Sequence, residues 1–179
     1  MSRKIVSSKG IIQIRRATQD DAECLRKLRL EALERHPESF TADYDATAAQ
    51  TAEEWAVRLR DNTDAGQEVI CLAVSSDELI GMAGLFRGRW PKTKHQGTIW
   101  GMYVKEEWRG YGIAGALIEG CVDWAKDQGM VIIRIGAVSN NLPAIRCYLK
   151  SGFSEYGLET KVICIDGNYF DEILFSRDI

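Results

Sequence analysis

The sequence predicts a mixed α+β domain in which helices flank a single, mostly antiparallel sheet. Three observations carry this prediction. Four segments repeat apolar residues at helical spacing, and they alternate with denser apolar runs in the order β-α-α-β-β-β-α-β-α-β-β rather than as strict βαβ units. Two pairs of strand-like runs are joined by short turn signals, Ser75-Ser76-Asp77 and Asp166-Gly167, as antiparallel hairpins are. The 179 residues are close to the size of one domain, so a single core is expected.

The elements follow in order. Residues 1–10 are polar and are expected to be a flexible lead, with the domain running from Ile11 to Ile179. Ile11-Ile12-Gln13-Ile14-Arg15 reads as a first strand, and Thr18-Gln19-Asp20-Asp21 has the spacing of a capping box. Ala22, Leu25, Leu28, Ala32 and Leu33 then mark one helix face until His36-Pro37 stops the pattern. Glu38 to Gln50 is polar and predicts a loop. A second capping box, Thr51-Ala52-Glu53-Glu54, opens a helix with Trp55 and Leu59 on one face, closed by Asp61-Asn62 and Gly66.

Glu68–Val74 and Glu78–Phe86 predict a hairpin. Beyond a loop around Pro91, Gly97–Val104 predicts a strand whose two glycines suggest a bulge. Ile113, Leu117, Cys121, Trp124 and Ala125 form the stripe of a helix ending at Gln128-Gly129. Val131–Val138 is apolar almost throughout, as a buried strand is. Asn141 followed by Pro143 signals the start of a short helix that closes at Ser151-Gly152. Phe153–Ile165 and Tyr169–Phe175 complete the set as a final hairpin.

Composition excludes several classes. Hydrophobic residues at 45% and charged residues at 27% are those of a globular protein, not of a disordered chain or a coiled-coil rod. The 23 Lys+Arg against 26 Asp+Glu give a net charge of −3, so no global basic field would draw in nucleic acid. No apolar run is long enough for a membrane helix, and Met1–Gly10 lacks the apolar centre of a secretory signal, so a cytoplasmic protein is expected. Cys24, Cys71, Cys121, Cys147 and Cys164 lie apart inside apolar runs and read as reduced, buried small residues. His36 and His95 are the only imidazoles and no ligand spacing occurs, so no metal is expected.

Arg109-Gly110-Tyr111-Gly112-Ile113-Ala114-Gly115 sits between a strand and a helix. Glycines let the backbone turn tightly with its N–H groups uncovered, and the helix behind adds roughly half a positive charge, so the turn suits a phosphate. It would equally serve as a sharp connection and nothing more. Gly110-x-Gly112-x-x-Gly115 matches the dinucleotide fingerprint literally, but five residues separate it from its strand and no acid closes the following strand. The phosphate-loop template fails for want of Gly-Lys-Ser/Thr.

Arg109-x-x-Gly112-x-Ala114 resembles the Q/R-x-x-G-x-G/A signature of the GNAT superfamily of N-acetyltransferases. Asn141-Leu142-Pro143-Ala144-Ile145-Arg146-Cys147-Tyr148-Leu149-Lys150-Ser151-Gly152-Phe153 resembles that family's N-x-x-A-x-x-x-Y-x-x-x-G-F segment. The resemblance implies the acyl-CoA N-acyltransferase fold and acetyl-CoA as cosubstrate. It implies that Met102, Tyr103 and Val104 meet the pantetheine arm through main chain. Arg109, Gly110, Tyr111, Gly112, Ile113 and Ala114 would cradle the pyrophosphate, Asn141 would touch the pantetheine side, and Tyr148 would protonate the departing thiolate. The reaction implied is direct attack by a primary amine of a small molecule or peptide, in a monomer or homodimer.

Each residue has a plainer role available: Asn141 as a helix cap, Tyr148 as packing, Arg109 as a solvated cation. An amine of pKa near 10.4 lies roughly 4.6 kcal/mol from its neutral form at pH 7, so a proton acceptor is required. Glu106, Glu107, His95, a water relay and the Asp171-Glu172 pair are the candidates. A strand N–H left unpaired near Gly101 would suit a developing oxyanion. Because a phenol of pKa near 10 is about 2 kcal/mol short of donating fully to a thiolate, Tyr148 would first donate a hydrogen bond. For the acceptor pocket the aromatic candidates are Phe40, Tyr44, Trp55, Trp100 and Tyr169. A non-catalytic CoA-binding regulatory module is the alternative, and a dinucleotide oxidoreductase a third.

Overall fold

The computed structural model describes the backbone of residues 2–179 and the side chains from Arg3 onward; Met1 lies outside the described residues. Eight strands and five helices of five residues or more alternate along the chain. They are β1 (Ser2–Ser7), β2 (Gly10–Arg16), α1 (Ala22–Arg35), α2 (Tyr44–Ala48), α3 (Ala52–Asp64), β3 (Glu68–Ser75) and β4 (Glu78–Arg87). Then come β5 (Gln96–Val104), α4 (Ile113–Asp127), β6 (Ile132–Val138), α5 (Leu142–Lys150), β7 (Ser154–Ile165) and β8 (Asn168–Asp178).

All eight strands form one sheet in the order β1-β2-β3-β4-β5-β6-β8-β7, antiparallel except where β5 lies parallel to β6. That parallel pairing covers only Gln96–Thr98 against Ile132–Arg134, after which β5 has no partner on that edge and the two strands part. β5 also carries the expected bulge. Met82 faces Tyr103 and Gly84 faces Trp100, so two steps on β4 are matched by three on β5, and Gly101 takes φ 64° to absorb the extra residue. Further irregularities fall in β3 between Ala73 and Val74 and in β7 between Glu155 and Gly157 and between Glu159 and Ile163.

At its centre, in β3 and β4, the sheet is buried on both faces. Along β3, Val69, Cys71 and Ala73 point into the core under α4, while Ile70 and Leu72 point into the core under α1 and α3. This alternation across the sheet explains why β3 reads as an unbroken apolar run. Trp124 and Phe175 are the largest fully buried side chains, both on the α4 side. Both two-residue turns are of the left-handed hairpin kind, with φ of 46° and 68° at Ser76-Asp77 and 48° and 80° at Asp166-Gly167.

Three expectations are corrected. The polar lead is a strand: Ser2–Ser7 pairs with β2 through Ser2↔Arg15 to Ser7↔Gly10 across the turn Ser8-Lys9, Gly10 takes φ 111° as β2 begins, and Ile5 packs on the core. With Ile5 packed on the core and Val6 left exposed, the segment carries too little apolar pattern to reveal a strand. The loop Glu38–Gln50 contains α2, nucleated when the Asp43 carboxylate accepts from Ala46 N–H at 2.8 Å. Of the cysteines, Cys71 and Cys121 are buried and Cys147 half-buried, but Cys24 and Cys164 are exposed, one on the outer side of α1 and the other on β7. Among the described residues no helix is long and apolar enough to cross a membrane.

Candidate active site

The glycine-rich turn caps α4. Gly110 has φ 87° and Gly112, the residue preceding the helix, φ 76°; a Cβ added at either would meet nothing within 4 Å. Among the described residues no N–H from Gly110 to Gly115 donates to a backbone carbonyl, and the first such bond runs from Ala116 N–H to Gly112 O at 3.1 Å. Six amide hydrogens therefore gather at an open helix N-terminus where nothing else competes for them. Ile113 is buried beneath the turn and Ala114 packs on the same core, which anchors the loop from below.

Arg109 holds the turn by its own side chain. Its Nε donates to Val104 O at 3.1 Å, Nη2 lies 2.9 Å from His36 Nε2, and Glu106 sits at 3.9 Å. The guanidinium thus ties the turn to the end of β5. Tyr111 stacks at a tilt on Trp108, 6.4 Å between centroids, and Lys9 reaches over both rings from the β1–β2 turn.

Where β5 and β6 part, a cavity of about 690 Å³ opens. That volume is typical for a small-molecule site. Gly101 and Met102 line it from β5, Ile135, Gly136 and Val138 from β6, Asn141 from the start of α5, and Ala144 and Tyr148 from α5 itself. Asn141 performs two tasks: its side-chain oxygen accepts from Ala144 N–H at 3.2 Å to cap α5, and the residue also faces the cavity. Tyr103 and Val104 do not line it. The Tyr103 ring is buried between α1 and the sheet and its hydroxyl donates to Glu31 Oε1 at 2.9 Å, with burial and that carboxylate pushing its pKa up to about 12. Only the main chain of these two residues is left for a ligand.

Tyr148 is 4% exposed, packed edge-on against Phe175 at 5.9 Å and tilted against Phe153 at 6.3 Å. Its hydroxyl makes no hydrogen bond among the described residues, and burial, then the neighbouring Cys147 and Glu172, pushes its pKa well above the ordinary phenol value. It is therefore a neutral donor without an acceptor among the described residues, in the wall of the cavity.

Glu172 lines the same cavity and lies over Gly136, where an added Cβ would come within 2.2 Å of its Oε1. Desolvation, and then Glu159 directly across the β7–β8 ladder, raises its pKa above the usual carboxylate range. Asp171, its neighbour, is spent on the backbone, accepting from Lys161 N–H at 2.8 Å. Glu106 and Glu107 stand outside the cavity in the turn after β5, and His95 outside it in the turn before.

Of the five aromatic candidates for the acceptor pocket, Phe40, Trp55 and Trp100 line the cavity. Tyr44 and Tyr169 do not and are 41% and 61% exposed, Tyr44 in α2 and Tyr169 beside the β7–β8 turn. Three cavity-lining cations, Arg29, Arg58 and Arg134, were not singled out from the sequence, nor was Glu159. For Arg29 a signal existed: it stands four residues from both Leu25 and Leu33, a charge set into the apolar stripe of α1.

The chain matches the model of the acetyltransferase (GNAT) family over residues 25–153. An L-amino acid N-acetyltransferase of Escherichia coli is 28% identical over 127 residues, covering 69% of this chain and 74% of that protein. A GNAT-family acetyltransferase from Streptococcus pneumoniae superposes with a TM-score of 0.84 at 22% identity, over 94% of this chain and 99% of the other. The Salmonella typhimurium protein yncA, solved with its cofactor acetyl-CoA, superposes with a TM-score of 0.76 at 18% identity, over 93% of each chain. With the glycine turn, the parted strands and the Asn141–Phe153 segment all inside the matched span or against it, this chain belongs to the acetyltransferase (GNAT) family.

Proposed function

We propose that this enzyme moves the acetyl group of acetyl-CoA to a primary amine of a small molecule by direct attack in a ternary complex. The observation that carries the proposal is the combination of three features: an uncommitted cradle of N–H groups at Gly110–Gly115, an unpaired β5 edge beyond Thr98, and a cavity holding an unbonded phenol. The cradle has the room and the donors for a diphosphate, which is why the residues fit coenzyme A. Bound acetyl-CoA supplies the activated acetyl thioester.

The protein's own groups do the rest. Met102, Tyr103 and Val104 offer main-chain partners to the pantetheine arm, as Asn141 does from the opposite side. The bulge at Gly101 leaves strand N–H groups out of the ladder beside the cavity, where they can stabilise negative charge on an acetyl oxygen. Tyr148 donates a hydrogen bond to the leaving sulfur, because its raised pKa favours donating a bond over surrendering the proton. Glu172 accepts the proton of the acceptor amine: a carboxylate with a raised pKa is a stronger base than an ordinary one, and this one already faces the cavity.

The test is calorimetric titration with acetyl-CoA followed by thiol release in the presence of primary amines. Micromolar binding with amine-dependent release is expected. Absence of binding by folded protein overturns the proposal, and binding without release to any amine leaves only the CoA-binding module.

A further inference from the structure

A buried guanidinium is costly unless an acid or a carbonyl answers it. Arg29 is 6% exposed, and among the described residues its guanidinium has neither a hydrogen bond nor an ion pair; its Nη1 is sealed from solvent and unpartnered. Aromatic faces lie against it, the Phe40 ring 4.6 Å away and the Trp100 ring 5.7 Å away. Burial and the nearby cation Arg58 push its pKa down to about 10, and no acid acts against them.

Arg58 is different in kind. It lies 5.0 Å from the same Trp100 ring, but the buried Glu68 takes its Nη2 and Nε at 2.7 and 3.1 Å, and Asn62 completes that carboxylate at 2.8 Å. Two cations and one acid leave this wall of the cavity with one unanswered positive charge. Position sharpens the point. The Arg29 Nη1 stands 3.4 Å from where a Cβ on Gly101 would lie, so the guanidinium rests against the β5 bulge. Across the cavity stand the two acids Glu172 and Glu159, together with Arg134, whose Nη1 donates to Gln96 Oε1.

We infer that the acceptor is an amine that also bears a carboxylate a few bonds away, the carboxylate held by Arg29 between Phe40 and Trp100 while the amine faces Glu172. This rests on the acetyl transfer proposed above and adds the chemical class of the acceptor. A guanidinium with free N–H groups matches a carboxylate edge to edge, and desolvation by the aromatic wall strengthens the pair. Because Arg29 sits beside Gly101, the two charged groups of the acceptor must be close together. A free α-amino acid meets that demand, and a peptide, whose terminal carboxylate is farther from its amine, does not.

The experiment measures thiol release from acetyl-CoA for the standard L-α-amino acids, each beside its α-carboxamide and its decarboxylated amine, with glycyl dipeptides as a further arm. The acids that are accepted should exceed their amides in kcat/KM by about 30-fold or more, which is what losing one charge-assisted contact removes. Arg29→Met should reduce that ratio to within about threefold, acting through KM, with the Kd for acetyl-CoA unchanged by calorimetry. Its Tm should rise by roughly 2–4 °C, since an unpaired buried charge has been replaced by an apolar chain of similar length. Arg29→Lys should keep part of the preference.

Amides or dipeptides used as well as the acids overturn the inference, as does acetyl-CoA binding with no transfer to any acid. An Arg29→Met enzyme that keeps its acid-to-amide ratio overturns it too, whatever its stability. Failure of acetyl-CoA to bind sinks the proposed transfer and this inference together, so the two failures are told apart by the first titration.

Discussion

A phenol enclosed by Phe153 and Phe175 and lacking a protein acceptor stays protonated at any physiological pH. Replacing Tyr148 with Phe removes only the donor, so kcat should fall at least tenfold while the Kd for acetyl-CoA stays within about twofold. Glu172 is tested by pH. Its folded pKa is raised, so the folded state holds this proton more tightly than the unfolded chain does. Its contribution to stability is present below the ordinary glutamate value of about 4.5 and is lost as pH climbs through the folded value. Transfer should rise over that same ascent as the base ionises. Glu172→Gln should abolish this rising limb of kcat/KM without lowering Tm at pH 7, and a rate profile identical to that of the parent would exclude Glu172 as the base. Tyr148 and the glycines were legible in the sequence because their signals are spacings within one segment. Arg29 was not, since what distinguishes it is the absence of an acid from every element around it, and only the folded chain shows that.

At the level of elements, the N-termini of helices are the best-specified parts of this chain. Thr51 and Glu54 satisfy each other's backbone N–H groups at 2.7 and 3.2 Å, which is the capping box read from the sequence. At α1 the equivalent device has a third member. Asp21 accepts from Thr18 N–H at 2.8 Å and also takes both nitrogens of the Arg15 fork, at 2.7 and 2.6 Å. Desolvation pushes the Asp21 carboxyl upward, but Arg15 and Thr18 together outweigh it, and its pKa is lowered. Its stabilisation is therefore present above the ordinary aspartate range and lost as pH falls through the folded value. Asp21→Asn should cost about 1–2 kcal/mol at pH 7 in chemical denaturation and flatten the acid side of the stability profile. The turn before α4 responds differently. At Gly112→Ala the new methyl meets no protein atom, so the strain at φ 76° amounts to about 1 kcal/mol. It stands instead where the diphosphate is expected, and the Kd for acetyl-CoA should rise about tenfold or more. Equal losses in stability and in affinity would argue against a phosphate cradle. β1 and α2 escaped the sequence reading because each depends on a partner: β1 on pairing with β2, α2 on one Asp43 cap over five residues.

Across the whole molecule the sheet is continuous, yet β5 and β6 join it through three residue pairs. The segments before this seam supply Arg29, Phe40, Trp55 and Trp100, and those after it supply Asn141, Tyr148, Glu159 and Glu172. A ligand lying in the parting bridges both halves, so acetyl-CoA at about 100 times its Kd should add about 2.7 kcal/mol and raise Tm by roughly 5–10 °C. A thermal scan that does not move with ligand would place binding elsewhere. Packing at this seam is close: a Cβ on Gly97 would meet Met130 Sδ at 2.9 Å and Leu85 Cδ2 at 3.0 Å. The two banks of the groove are thus moored together by a spine barely three rungs long. Whatever shifts those rungs widens or narrows the gap between the bank of Arg29 and the bank of Glu172, so the span an acceptor must bridge is governed from a pairing of which only Thr98 and Arg134 border the cavity.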